Sequence, residues 1–458
     1  MKLAQHPFPF SFLLPALFLF TACEKGKLEE EAPAENEWIY NTMEQHYLWY
    51  DDIPDRKQLD FKLSPQQFFA SLLSEKDGNE DAHGRRHVFS YIERKPLATK
   101  ALSETSPVYG FEYAVFSVEH SGTYYAEVLY VLPDSPAEEA GLKRGDWITG
   151  IGENRISLTD YISLGTGNGV TYQLSRYDPQ RGLVNNGSVD IPPARLVRDY
   201  PILKDTVLHI GGKAVGYLMY NTFTSGPGNR DETYDEQLKE AFRRFKTAQV
   251  TDFVLDMRYN GGGLLNSARL LASMLAPSDV FGKVFTRMVF NDKNRWQDHT
   301  TSFFNAVAMS SYNLNLSRLY VLTGTSTASS SEAVINGLIP YIGRENMTLI
   351  GERTIGKTVG SNTFGEDNDY GWLLHPITLR ISNADEQSDY TKGFAPDIEM
   401  EELIPGQILY PFGDPQELLL SCALQEITGQ TALRSAESAP APSLLPPLRL
   451  VGLSIENK

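Results

Sequence analysis

The chain has 458 residues and a formal charge of −17; 41% of its residues are hydrophobic and 22% are charged. That length suits two to four domains at roughly 100–200 residues each, and the composition excludes a wholly disordered or collagen-like chain. The acidic excess repels nucleic acid, so no nucleic-acid partner is expected. Two cysteines, Cys23 and Cys422, can build neither a disulfide framework nor a zinc site.

The first hydrophobic stretch, residues 8–20, is shorter than the about 20 apolar residues a bilayer span needs and carries Pro9 and Pro15. Lys2 precedes it, and the small residues Thr21 and Ala22 follow, as in a secretory signal peptide over 1–22. The run Leu19-Phe20-Thr21-Ala22-Cys23 resembles a bacterial lipobox. That resemblance implies lipidation of Cys23 and attachment to the cell envelope, at the outer membrane on its periplasmic or surface face. An ordinary signal with a chance cysteine is the other reading. Residues 23–36, polar and charged, then form a tether.

From Glu37, Ile39, Met43, Tyr47 and Tyr50 recur at helical spacing. Pro54 closes that helix, and Ser64-Pro65 opens a second with Phe68, Phe69, Leu72 and Leu73 on one stripe. Residues 37–103 are therefore expected to be a small helical domain.

Beyond 104 the period shortens. Residues 108–116 and 124–132 are rich in aromatic and β-branched side chains, as strands are. Ser135-Pro136 starts a short helix ending at Gly141, and the turn Arg144-Gly145-Asp146 leads into a strand over 147–151. This segment, 104–191, resembles a PDZ domain, with Tyr109, Gly110, Phe111 and Glu112 standing where such domains carry their carboxylate-binding loop. The resemblance implies that a peptide tail adds a strand to the sheet edge while backbone N–H groups hold its C-terminus. A purely structural PDZ-like fold is the alternative.

After Pro192-Pro193 strands and helices alternate: strands over 215–220, 250–257, 319–323 and 348–350, with helices over 234–247 and 264–275 and another after 323. That pattern predicts an α/β domain over 192–428. A loose tail rich in Pro, Ala and Ser is expected over 429–458. The whole chain is thus read as multidomain α+β.

Eight scattered histidines include no HExxH, and the glycine turn 261–263 lacks the lysine and hydroxyl of a P-loop, so no metal or cofactor is implied. The strongest chemistry lies in TSTASSSEAVINGL, residues 325–338. A serine at a strand-to-helix junction has its oxygen beside unpaired N–H groups at the positive end of the helix, which suits an oxyanion. Ser329-x-x-Glu332 is also a capping box, and taken alone that reading is the simpler. Lys357, glycine-flanked in GERTIGKTVGS, follows one helix and one strand later. A hydroxyl needs a base, and a desolvated lysine can serve as one.

These segments resemble the C-terminal processing, or tail-specific, serine peptidases. Thr327-Ala328-Ser329-Ser330-Ser331-Glu332 matches the family's serine block and selects Ser329. Gly351-Glu352-Arg353-Thr354-Ile355-Gly356-Lys357 matches its lysine block, and residues 255–263 match its L-D-x-R-x-N-x-G-G. The resemblance covers about 104–428 and implies a ClpP/crotonase-like core and a Ser329–Lys357 dyad. Gly262 and the Ser330 N–H are then the oxyanion donors. The place where many members carry a lysine-orienting glutamine holds Ser361 here. The N-terminal segment resembles that of lipoprotein members from Bacteroidetes-type bacteria. The expected partners are polypeptides with accessible C-termini and, through the lipid, a membrane. The rival expectation is a catalytically silent peptide-binding lipoprotein that uses the PDZ groove.

Overall fold

A computed structural model describes residues 33–80, 84, 86–95, 106–118, 121–157, 159–228 and 230–429. The signal peptide, Cys23, most of the tether and the tail after Gly429 lie outside these residues.

The central sheet has six strands. Their spatial order is Ile398–Glu399, Met347–Gly351, Leu319–Thr323, Asp252–Asp256, Lys213–Tyr220, Ile202–Ile210. All neighbours run parallel except the last pair. Side chains alternate across it, as the two-residue period of a strand requires. Leu218, Tyr220, Phe253, Leu255 and Val321 face the helices Thr233–Thr247, Leu265–Leu275 and Ser330–Ile342. Tyr217, Met219, Val254, Tyr320 and Leu322 face the helix Leu418–Thr428. Both faces are covered, so the central parallel strands are largely apolar: Leu319–Thr323 is buried at all five positions.

A second, antiparallel sheet in the order His299–Ser302, Val284–Phe290, Ile377–Ser382, Val359–Ser361 was not read from the sequence. It matters because Val359–Ser361 begins two residues after Lys357.

Residues 111–191 form a five-stranded antiparallel sheet in which Phe111–Ser117 is an edge strand. The short helix Pro136–Glu139 and the strand Trp147–Ile151 lie where the turn signals place them. This domain leans on the central one through a buried ionic cluster. The Arg258 guanidinium holds Asp256 at 2.7 Å, Glu402 at 2.6 Å and Glu417 at 2.7 Å, with every member nearly solvent-free. Arg144, from the turn before Trp147–Ile151, pairs with the same Glu402 and donates to Tyr259 Oη at 3.1 Å. Burial alone would push Glu402 up, but the two guanidiniums outweigh it and hold its carboxyl well below the ordinary range.

The N-terminal segment differs from expectation twice. Its first helix, Ala34–His46, begins inside the supposed tether, because Asn36 is fully buried and donates to the carbonyls of Phe61 and Leu63, both at 2.8 Å. The segment is also not wholly helical. Asn79–Glu80 and Arg86–His87 form a hairpin, and Tyr91–Arg94 pairs with Trp372–His375 of the central domain. Ile39, Met43, Tyr47, Phe68, Phe69, Leu72 and Phe89 bury together with Ala328, Ile355 and Val359. The N-terminal domain is therefore packed against the serine and lysine loops.

Candidate active site

Ser329 lies where strand Leu319–Thr323 passes through a tight turn into helix Ser330–Ile342. The turn is sewn to the neighbouring strand end. Thr327 Oγ1 donates to Met257 O at 2.8 Å, and the Ala328 N–H donates to Asn260 O at 3.1 Å. Gly324 approaches so closely that a Cβ there would meet Arg258 O at 2.5 Å.

Ser329 has φ +56° and ψ −114°. An ordinary helix cap has an extended backbone, so capping does not account for this conformation. Positive φ in a non-glycine residue costs on the order of 1–3 kcal/mol and tends to be kept at functional sites. The same strained strand-to-helix turn exposes the nucleophile in serine hydrolases. The adjacent hydroxyls are committed elsewhere: Ser330 Oγ donates to Gly263 O at 2.6 Å, and Ser331 Oγ donates to Asn260 O at 2.9 Å.

The glutamate of the capping box does more than cap. Glu332 is fully buried. Its Oε1 accepts from Thr354 Oγ1 and from the Gly356 N–H, both at 2.6 Å. Its Oε2 accepts from the Ser329 N–H at 2.9 Å and from the Lys357 N–H at 2.8 Å. Four donors occupy both oxygens of the carboxylate. Burial nonetheless pushes the group up to about 7, with the four hydrogen bonds pulling the other way. The sequence marked Glu332 as a capping partner and as part of the serine block; its contacts with residues 354–357 had no local signal.

Lys357 is half-buried, between the buried Ile355 and Val359. The loop is pinned by the Ile355 N–H, which donates to Thr327 O at 3.0 Å. Gly356 has φ +89°, and a Cβ there would meet Gly393 N and Thr391 O at 2.5 Å, so only glycine fits. The structure thus brings the serine and lysine loops together around one carboxylate.

Gly262 packs directly on the serine: a Cβ there would meet Ser329 Cβ at 2.8 Å. Its N–H, however, donates to Asn260 Oδ1 at 2.9 Å. That N–H is therefore taken up within its own turn in this structure. The cause is Asn260, a fully buried amide whose Nδ2 donates to Tyr220 O at 2.9 Å and whose oxygen needs a donor. Ser330 occupies the first helical position, where N–H groups lack intrahelical acceptors. Ser361 stands exposed at the end of Val359–Ser361, paired with Ile377.

In the 111–191 domain, Tyr109 and Phe111 are core residues. The Tyr109 N–H donates to Gly165 O at 2.7 Å, and Gly110, with φ +79°, packs on Ser135. Glu112 is half-buried and pairs with Tyr130. These four residues lead into the edge strand, whose outer side has no neighbouring strand in its sheet.

Residues 214–400 match the family described as peptidase family S41. Residues 34–91 match the peptidase S41 N-terminal domain, and residues 127–169 match a PDZ domain. A crystal structure of an S41 protease from Bacteroides fragilis superposes with a TM-score of 0.77 at 36% identity, covering 86% of this chain and 98% of that one. A carboxyl-terminal-processing protease of Picosynechococcus sp. is 24% identical over 328 residues, 68% of this chain and 69% of its own. A protein of the same name from Synechocystis sp. is 25% identical over 332 residues, 69% and 68% of the two chains.

Proposed function

This chain belongs to peptidase family S41, and on that premise we propose a secreted, lipid-anchored serine endopeptidase that cuts polypeptides near their C-termini with a Ser329–Lys357 dyad. Ser329 Oγ attacks the scissile carbonyl carbon while neutral Lys357 Nζ takes the hydroxyl proton. The carbonyl electrons move onto oxygen, and the resulting oxyanion is held by the Ser330 N–H and the glycine turn. Gly262 joins as a donor once its N–H leaves Asn260 Oδ1. As the C–N bond breaks, Lys357 returns the proton to the leaving amine. Water then gives a proton to Lys357 and attacks the acyl carbon, and Ser329 is released with its proton restored.

Orientation of the dyad is assigned to Glu332, whose bonds reach both loops, in place of Ser361. The edge strand Phe111–Ser117 has no neighbouring strand on its outer side in its sheet, where an extended substrate tail is proposed to align in the manner of strand addition. Lipidation at Cys23 would hold the enzyme at the outer membrane.

The observation that carries this reading is the strained Ser329 backbone beside a lysine loop tied to the same carboxylate. It is tested by incubating the protein with an unfolded polypeptide that ends in apolar residues. Ser329→Ala is expected to abolish cleavage; cleavage at the parent rate would overturn the assignment.

A further inference from the structure

One side of Lys357 is covered by a residue of the N-terminal domain, to which no part of the chemistry has been given. Phe89 is 6% exposed, and its ring centroid lies 5.3 Å from Lys357 Nζ. It shares a buried cluster with Ala328, the neighbour of Ser329, and with Ile355 and Val359, which flank the lysine.

Phe89 is itself held rigidly. Asp77, fully buried, accepts at Oδ1 from the N–H groups of Phe89 at 3.2 Å and Ser90 at 3.0 Å, and at Oδ2 from Tyr47 Oη at 2.8 Å. Ser90 Oγ accepts from the Ile377 N–H at 2.8 Å, which fixes the segment to the sheet that carries Val359–Ser361. On the hairpin, Asn79 Nδ2 donates to Ile355 O at 2.7 Å and to Thr391 O, clasping the lysine loop from the same side.

Resting on the Ser329–Lys357 reading, we infer that Phe89 is a positioning residue for Lys357, its ring walling the amine off from water on the N-terminal-domain side. Two effects of a ring on an amine oppose each other. Its face attracts the ammonium, worth on the order of 0.5–1 kcal/mol at exposed sites. Its bulk removes water and penalises the charged form, which can move a lysine by several pH units when burial is complete. Exclusion of water dominates here, because the ring is buried and shares its cluster with the apolar flanks of the lysine.

Other charged and titratable groups stand on the elements around this loop. They include Glu332, whose carboxylate accepts from the Lys357 N–H, Glu352 and Arg353 upstream on the loop, Arg380 opposite Val359, Asp389, Tyr390 and Lys392 on the segment against Gly356, and Asp77, Glu80, Arg86 and His87 on the hairpin side. Only Phe89 presents a ring face to the lysine among the described residues.

The test is the pH profile of kcat/KM, from pH 5 to 10, for the full chain and for Phe89→Ala, Phe89→Gln and Phe89→Leu. Phe89→Ala is expected to move the acid limb up by about one unit, a loss of about tenfold below the limb, with the parent rate regained at high pH. Phe89→Gln keeps bulk, brings polar atoms to the wall, and carries the same expectation if the alanine variant does not fold. Phe89→Leu restores an apolar wall and returns the limb to within about 0.3 units of the parent. A limb that stays in place in both Ala and Gln variants, or a uniform loss not regained at high pH, overturns the inference. So does a downward shift in Phe89→Leu, which would mean that the ring acts by attraction. Lys357→Arg runs beside them: activity in that variant defeats the dyad itself, whereas an inactive Lys357→Arg with unmoved Phe89 variants defeats only the role of Phe89.

Discussion

Oε2 of Glu332 accepts from the N–H of Ser329 at 2.9 Å and from the N–H of Lys357 at 2.8 Å, so one buried oxygen sets the spacing of the two proposed catalytic segments. The carboxylate belongs to the third residue after Ser329, and the lysine loop comes to it across the end of the sheet.

Glu332→Gln replaces one acceptor with a donor that faces N–H or O–H donors, so cleavage is expected to fall by about two orders of magnitude. Stability moves differently. The unfolded carboxyl titrates near 4.5 and the folded one near 7, so the folded state holds the extra proton between those values. The group's contribution is full below about 4.5 and is lost as pH rises through 7, by at most about 3 kcal/mol. The glutamine carries no titratable group, so its unfolding midpoint should lack the decline that the parent shows between about pH 5 and 8, while the donors left unpaired lower it at every pH. A midpoint that falls with pH as steeply as the parent's, or full activity, would contradict this.

Ser329→Gly should be inactive yet more stable by about 1 kcal/mol, because glycine adopts φ +56° without strain. Ser330→Ala should keep most activity and lose about 1 kcal/mol with its bond to Gly263 O. Thermal unfolding of both variants beside cleavage assays reads the two effects separately. Equal activity loss in both would dissolve the distinction between the serines.

Arg144→Ala removes one of two guanidiniums from Glu402 in a dry interface between the second and central domains. Leaving buried charge partly unpaired should cost about 3 kcal/mol, seen as a lower midpoint in chemical denaturation. A change below about 0.5 kcal/mol would show that water reaches the cluster.

Cys23→Ser should shift the protein from the membrane to the soluble fraction after cell lysis, because a lipid on that residue is the proposed anchor. Retention in the membrane fraction of the mutant would reject the lipobox reading.

Much of this arrangement was legible before the structure, and the reason differs by element. Strands such as Trp147–Ile151 and Leu319–Thr323 are short apolar runs bounded by turn residues, so period and punctuation located them. The serine and lysine blocks stood out as motifs in the right order. The sheet built from Val284–Phe290 and Ile377–Ser382 escaped because its strands come from segments far apart in sequence. Glu332 was visible as a cap, but its bonds to Thr354 and Gly356 depend on loop packing that no spacing encodes. The bond that takes up the Gly262 N–H was not legible, because its acceptor, Asn260 Oδ1, belongs to a buried amide whose orientation is set by the carbonyl of Tyr220. Phe89 comes from another domain and reaches the lysine only once that domain packs on the lysine loop.

The central claim, that Lys357 is the base for Ser329, is tested most directly by the cleavage rate of Lys357→Arg on an unfolded polypeptide with an apolar C-terminus. Its thermal unfolding is measured in parallel to show an intact fold. Guanidinium keeps its proton at any pH the protein survives, so the folded variant should cleave no faster than Ser329→Ala. A folded Lys357→Arg that retained more than about a tenth of the parent rate, a loss of under about 1.4 kcal/mol in transition-state stabilisation, would show that another group takes the proton.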